Sequence, residues 1–359
     1  MKKEEKRTGN GRGWDNRSQA KPAAEYEFRY GSGLLKKESA GWPRTLVVTT
    51  PSAYRTARPY LSRQPAGVAC VRWLDWDHLH ETSRQLPDDA GLVIGLGGGR
   101  AVDAAKFVAL EKGLPLITVP TIASTGAIIH GVCAKWKGRE PVQDTDWPWV
   151  DCEYVLVDYD LVLEAPYYLN TAGLGDILCG YAGLAEWRWR ARNGQGPACD
   201  EAAMATVIRH HEAFTRRFEE TLDGERNLTA DSVHHIMTCL QERDGRALRH
   251  PGMRSGDHHF LIALEFVNNR SWIHGELVAL GALLIAWLCD AQPEDLIGRL
   301  ERCRVRRRPT EMELGREQLR RGLAFVPDYM AQRDIDSILR HEPVQGARFE
   351  ALWEFLEGF

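Results

Sequence analysis

The sequence has no apolar run long enough to cross a membrane, and its first residues, MKKEEKRTGNGRG, lack the apolar core of a signal peptide. Its eight cysteines include no C-x-x-C pair, and several stand in apolar surroundings, as reduced thiols do. The formal net charge is only −4, so the chain lacks the strong positive charge of nucleic-acid-binding proteins. These absences predict a cytoplasmic protein that acts without a membrane or nucleic acid. One basic cluster is expected to be a solvated helix end: Arg302, Arg304, Arg306, Arg307 and Arg308.

Three regions differ in their patterns. Residues 1–24 are charged and almost without apolar side chains, which predicts a disordered leader. Over 25–165, apolar strand patterns alternate with helical ones, as in βαβ units that form a mostly parallel sheet. Over 166–359 the periodicity is helical throughout. We therefore expect an α/β nucleotide-binding domain followed by an all-helical domain, with ligands in the cleft between them.

The most informative segment of the first domain is GLVIGLGGGRAVDAAK, Gly91–Lys106. An apolar strand pattern runs into Gly97, Gly98 and Gly99, and a helix of small residues follows. Such a turn lets backbone N–H groups approach a diphosphate at the positive end of a helix. The spacing is not that of G-x-G-x-x-G, since Arg100 stands where a glycine is expected, and a plain structural turn is the alternative interpretation.

The helical half contains polar residues in apolar surroundings. Asp176 lies in AGLGDILCG, the pair His258 and His259 begins the helix HHFLIALEF, and His274 precedes GELVALGALLIAWL. A buried carboxylate or imidazole needs a partner. One Asp and two His would form a three-ligand metal site with an open position for a substrate oxygen. The residue types leave open which of His258 and His259 takes part.

Together these segments resemble the superfamily of iron-containing alcohol dehydrogenases, glycerol dehydrogenases and 3-dehydroquinate synthases, most closely its sn-glycerol-1-phosphate dehydrogenase branch. The matching segments follow the family's order from about Tyr26 to at least Ala286: GGGRAVDAAK, VPTIAST, VLVDYDLVLEAP, AGLGDILCGYAGLAEWRW, SGDHH and HGELVALG. The resemblance implies a dehydroquinate synthase-like fold, NAD or NADP as cofactor, and one divalent metal, zinc, iron or nickel. It also implies a homo-oligomer.

The resemblance also assigns roles to individual residues. It places the metal and the catalytic centre on Asp176, His258 and His274, and it favours His258 over His259 by the position of Glu265. The family's cofactor positions fall on Gly97, Gly98, Gly99, Asp103, Lys106, Thr118, Thr121, Ser124 and Thr125.

Three departures from the family leave the substrate and the cofactor open. The loop reads Ser124, Thr125, Gly126 without the acidic residue that the branch places there. The first strand ends in threonines rather than an acidic residue, so NAD and NADP are not distinguished. Ile262 replaces a second histidine found in many members, and a Trp-rich segment around Trp136, Trp147 and Trp149 suggests a larger or less polar substrate.

We therefore expect a metal-dependent NAD(P)-linked oxidoreductase that interconverts an alcohol and a ketone or aldehyde on a small-molecule or peptide-borne hydroxyl substrate. One alternative is a dehydrogenase of secondary metabolism that acts on a β-hydroxy acid, amino alcohol or peptide-borne hydroxyl. A second is a 3-dehydroquinate synthase-like cyclase or lyase, in which NADH does not accumulate. A third is a catalytically inactive nucleotide-binding scaffold.

Overall fold

The structure, a computed structural model, describes residues 26–129, 131, 133–134, 136–137, 140–141, 150–242 and 250–358. The leader expected over 1–24 and two members of the Trp-rich segment, Trp147 and Trp149, lie outside the described residues.

Six strands form one parallel sheet, in the order β1-β8-β5-β4-β2-β3, and β6 pairs with β7 in a short antiparallel ribbon. Their bounds are β1 Phe28–Gly31, β2 Thr45–Thr49, β3 Gly67–Cys70, β4 Leu92–Gly97, β5 Leu116–Pro120, β6 Trp136–Lys137, β7 Glu140–Pro141 and β8 Tyr154–Asp158.

The helices between the strands are α1 Leu34–Ser39, α2 Pro51–Ala57, α3 Trp76–Gln85 and α4 Gly99–Lys112, and α5 Tyr159–Leu163 directly follows β8. The described helices that follow are α6 Tyr167–Leu178, α7 Gly180–Arg192, α8 Glu201–Glu220, α9 Ala230–Glu242, α10 Asp257–Asn268, α11 His274–Leu288, α12 Pro293–Arg302, α13 Arg316–Gln332, α14 Ile338–His341 and α15 Ala347–Gly358. Within the described ranges, every helix is too short or too polar to cross a membrane.

The sheet is covered on both faces because its strands are apolar on both sides. Along β2, Leu46 and Val48 join the core that contains α4, whereas Val47 packs in the opposite core with α1 and α2. The chain passes from β2 to β3 on one side and then to β4 on the other. Such a reversal opens a crevice at the carboxyl ends of the two strands, where α/β proteins bind ligands. Here the crevice lies beside Gly97, the last residue of β4.

The expected fold class, a mostly parallel α/β part followed by helices, is confirmed, while some element bounds differ. The apolar periodicity of Leu174–Asn193 predicts one helix, but the structure divides it at Cys179 into α6 and α7, and α6 begins earlier, directly after Pro166. The periodicity of Glu311–Gln332 predicts another helix, which in the structure begins at Arg316, where the Gln318 side chain caps its first turn. The domain boundary at 165/166 stays a prediction.

The basic cluster after α12 is not a solvated helix end, and that expectation is wrong. Arg302 donates to Glu219 at 2.7 Å, and Arg306 makes two hydrogen bonds to Glu276 at 2.6 and 2.8 Å. The side chain of Arg307 is only 5% exposed. Carboxylates from other helices therefore neutralise this segment and pack it against the helical core.

Candidate active site

Three helices bring the predicted metal ligands together. Asp176 on α6 lies with its Oδ1 atom 3.4 Å from Nε2 of His258 on α10 and 3.6 Å from Nε2 of His274, the first residue of α11. One ligand atom from each of the three residues lies within 4.8 Å of the others. The structure thus joins three side chains that are up to 98 positions apart in the sequence, Asp176 and His274 being the outermost.

The close contact between α6 and α11 explains how His274 reaches Asp176. A Cβ atom at Gly275 would lie 1.8 Å from the carbonyl oxygen of Ala172, so glycine alone permits this approach of the two backbones. At the same crossing, a Cβ at Gly175 would lie 2.5 Å from the carbonyl oxygen of Gly275. The glycines therefore set the separation between the carboxylate and the imidazole.

The donor set suits a divalent cation. The Asp176 side chain has no exposed surface, whereas the side chains of His258 and His274 are 34% and 37% exposed. Solvent and a substrate can therefore reach the site from the side of the two imidazole rings but not from the side of the carboxylate. Although burial acts in the opposite direction, Asp257 and Asp176 raise the pKa of His258 to about 9. A carboxylate and two imidazoles that converge beside an open face are the ligands of catalytic zinc and iron sites.

Asp257 faces the other side of the His258 ring. Its Oδ2 atom lies 3.4 Å from Nδ1 of His258, and its Oδ1 atom accepts a hydrogen bond from Ser255 at 2.5 Å. Carboxylates in this position orient metal-bound histidines and fix their tautomer. This role of Asp257 was not predicted from the sequence, although the adjacent Asp-His pair in SGDHH is the signal that could have indicated it.

We expect Asp257→Asn to weaken metal binding about 10–100-fold, because the ring of His258 loses the charge that orients it. The affinity is measured by competition with a chelator, with the dinucleotide affinity as the internal reference. Asp290→Asn makes the same change at an exposed position of the helical part and should leave the affinity unchanged. Equal affinities in wild type and Asp257→Asn would contradict the orienting role.

His259 lies away from the cluster. Its Nδ1 atom is buried and has no hydrogen-bond partner among the described residues, and burial lowers its pKa to about 4. Arg333, which approaches from the end of α13, acts in the same direction. The two neighbouring histidines therefore have different surroundings, and only His258 belongs to the set with Asp176.

The glycine turn forms the second part of the site. Gly97 has φ +147°, and a Cβ there would lie 2.7 Å from the Cβ of Ala101. Gly98 precedes α4, which begins at Gly99 in the crevice at the carboxyl ends of β2 and β4. The first N–H groups of a helix have no intrahelical acceptors and favour negative charge. The turn is therefore suited to a diphosphate.

We expect Gly97→Ala to lower the affinity for NAD or NADP about tenfold or more, because a Cβ that would lie 2.7 Å from the Cβ of Ala101 forces the turn out of the geometry that suits a diphosphate. Calorimetric titration of both dinucleotides measures the change, and the metal content should stay at the wild-type value. Gly113→Ala is the matched control, because Gly113 also has a positive φ, +63°, but ends the same helix with open space around it. A similar loss of affinity in both variants would show that strain in α4 alone is responsible.

The loop 121–127, here called the bridging loop, connects the two parts. A Cβ at Gly99 would lie 2.8 Å from the Thr125 side chain, so the loop covers the glycine turn closely. The next residue, Gly126, donates its N–H to Oδ2 of Asp176 at 3.3 Å. Consecutive residues of one loop thus contact the predicted dinucleotide turn and the acid of the predicted metal set.

Asp103 and Lys106 form a buried pair under the bridging loop. The Lys106 ammonium donates to Asp103 at 3.0 Å and to the carbonyl oxygen of Ala127 at 2.7 Å. Burial raises the pKa of Asp103, while Lys106 and His274 oppose that effect. The pair therefore fixes the loop from below, and its contact with a cofactor stays a prediction.

The predicted hydroxyl positions are all buried. Thr118 lies inside the sheet, 1% exposed, with its hydroxyl 3.7 Å from the Cys152 sulfur. Thr121, Ser124 and Thr125 belong to the bridging loop and are less than 9% exposed. Thr118 thus supports the loop's preceding strand, whereas the other three lie beside the glycine turn.

The chain is similar to known proteins in sequence and in fold. Residues 31–166 match the family model described as iron-containing alcohol dehydrogenase. The chain is 26% identical to the glycerol-1-phosphate dehydrogenase (NAD(P)+) of Methanospirillum hungatei over 260 residues, which cover 72% of this chain and 71% of that relative.

Solved structures show the same fold. A probable glycerol dehydrogenase from Sinorhizobium meliloti superposes with a TM-score of 0.65 at 21% identity, over 93% of this chain and 98% of that one. A sulfoacetaldehyde reductase from Bifidobacterium kashiwanohense, solved in complex with NAD+, superposes with a TM-score of 0.59 at 16% identity, over 96% and 99% of the two chains.

Proposed function

We propose that this chain, which matches the iron-containing alcohol dehydrogenase family over residues 31–166 and is similar to NAD(P)-linked dehydrogenases, is a metal-dependent NAD(P)-linked oxidoreductase with a specific site. Asp176, His258 and His274 hold one divalent ion, and the turn at Gly97–Gly99 holds the dinucleotide. The reaction interconverts an alcohol and a ketone or aldehyde.

Each protein group then has a defined task. When bound, the ion polarises the substrate oxygen, and the nicotinamide accepts or gives the hydride. Asp176 contributes a negative charge from a fully buried position, where its attraction for a cation is strongest. His258 and His274 contribute nitrogen donors and leave their exposed faces toward the substrate. Asp257 orients the His258 ring through its contact with Nδ1.

The bridging loop is the single observation that carries this proposal. A metal set and a glycine turn that lay apart would support two unrelated functions. Here Thr125 packs on Gly99 while Gly126 binds Asp176, so the two lie on either side of one short loop. Hydride transfer between a nicotinamide and a substrate on the ion requires such proximity.

For the substrate we propose a small polyol phosphate, because the curated relative from Methanospirillum hungatei is named glycerol-1-phosphate dehydrogenase. A second candidate is an unphosphorylated hydroxyl compound, and the charge pairing near the site favours it. The Lys106 ammonium is bound to Asp103, and the Arg306 guanidinium is bound to Glu276, two residues after His274. Both cations are therefore already neutralised by carboxylates.

Removal and restoration of metal test the proposal. Protein freed of metal by a chelator should lose NAD(P)H oxidation with dihydroxyacetone phosphate, and zinc or ferrous iron should restore it. The same assay with β-keto acids and amino ketones separates the two substrate candidates. Full turnover without metal, or turnover without net change in NAD(P)H, would contradict the proposed dehydrogenase; the second result would favour a cyclase.

The cellular setting is also a proposal. All eight cysteines are free of disulfides, which supports a reducing compartment such as the cytoplasm. A homo-oligomer stays a prediction from the family, and sedimentation of the purified chain measures it.

A further inference from the structure

Cys179 places a thiol close to His258 and Asp257. It follows Asp176 by three positions at the junction of α6 and α7, and its backbone is helical, so both side chains lie toward α10. One ligand atom each from Cys179, Asp257 and His258 lies within 4.8 Å of the others. The proposed catalytic set has no role for the thiol of this second cluster, and it uses Asp257 only to orient the His258 ring.

The carboxylate in this cluster indicates a ligand. The Asp257 side chain is only 2% exposed, and its Oδ2 atom has no hydrogen bond among the described residues. That atom faces Nδ1 of His258 at 3.4 Å. A buried carboxylate oxygen without a hydrogen bond is costly, and a cation that also binds the nearby thiol and imidazole would satisfy it.

From these contacts we propose that Cys179, Asp257 and Nδ1 of His258 form a second metal site that takes thiophilic divalent ions such as zinc and cadmium. Thiolate, imidazole and carboxylate are the ligands that zinc accepts in proteins. Binding releases the thiol proton and the Nδ1 proton to solvent.

The two sites share one imidazole and therefore compete. An ion bound to Nδ1 of His258 separates the ring from the charge of Asp257. It also repels a second cation at Nε2, the atom that faces Asp176 in the proposed catalytic site with His274. Excess thiophilic metal should consequently inhibit the enzyme, and that inhibition should depend on the thiol.

The test is a cadmium titration of the full-length, metal-free chain, followed by the ultraviolet absorption of the cadmium–thiolate bond. Wild type should show the band, and Cys179→Ser and Cys179→Ala should lose it. His274→Ala should keep it, since the second site does not use that residue. Cys199→Ser is the matched control at another half-buried cysteine and should also keep the band.

A band that persists in both Cys179 variants, or no band in wild type, would overturn the proposal. Loss of the band in His274→Ala would also overturn it, because the absorbing ion would then lie in the catalytic set. The readout is the thiolate itself, so these outcomes leave the proposed dehydrogenase reaction untouched. In turnover assays, Cys179→Ser should keep the wild-type rate and lose the inhibition by excess cadmium.

Discussion

Asp176→Asn should abolish metal retention and lower kcat/KM about a thousandfold or more, the scale on which loss of the main electrostatic group slows an enzyme. The amide keeps the size of the side chain and an oxygen that can accept from the Gly126 N–H, but it lacks the charge that attracts the ion. Metal content after gel filtration and steady-state kinetics measure the two effects.

The same variant separates a functional from a structural role. A carboxylate without exposed surface is costly to bury, and an amide is less so. Metal-free Asp176→Asn should therefore unfold no more easily than the metal-free wild type, while added zinc should stabilise only the wild type. Asp290→Asn should behave as wild type in each assay. A variant that retained metal and rate would remove Asp176 from the site.

Gly275→Ala should destabilise the fold by about 3 kcal/mol or more, beyond the usual cost of a single overpacked methyl group. The new methyl group would meet the Ala172 carbonyl oxygen at 1.8 Å, and backbone cannot yield as a side-chain tip can. The two helices must move apart, which carries His274 away from Asp176. Both the unfolding midpoint in urea and the metal affinity should fall.

Gly298→Ala is the control for this prediction. Gly298 lies inside α12, and a Cβ there has nothing within 4 Å. Alanine should stabilise the chain by about 0.5–1 kcal/mol, because it loses less backbone freedom than glycine in a helix. Equal effects of Gly275→Ala and Gly298→Ala would contradict the proposed role of the α6–α11 contact.

The sequence was sufficient for features whose physics is local. An apolar strand that ends in glycines, as at Gly97, indicates a turn whatever surrounds it. A charged residue in an apolar helix, as at Asp176, requires a partner whatever the fold. The order of strand and helix patterns then assigned the glycine turn to an α/β domain and Asp176 to the helical domain that follows it.

Features that depend on how helices and strands pack could not be predicted from the sequence alone. His258 and His259 differ by about 100° around α10, and which one faces Asp176 depends on how that helix is rotated against α11 and α13. Strand β1 has four half-buried residues and no clear period, and it is fixed by pairing with β8 across more than a hundred positions. The break between α6 and α7 at Cys179 likewise depends on the neighbouring helices. No local sequence pattern predicts that the Cys179 thiol lies near Asp257 and His258.

The bridging loop also has a thermodynamic consequence. A dinucleotide that holds Thr125 against the glycine turn also holds Gly126 against the acid that binds the ion. We therefore expect the two proposed ligands to bind cooperatively, and the factor by which each tightens the other should be the same in both directions. Removal of one ligand should then weaken the binding of the other.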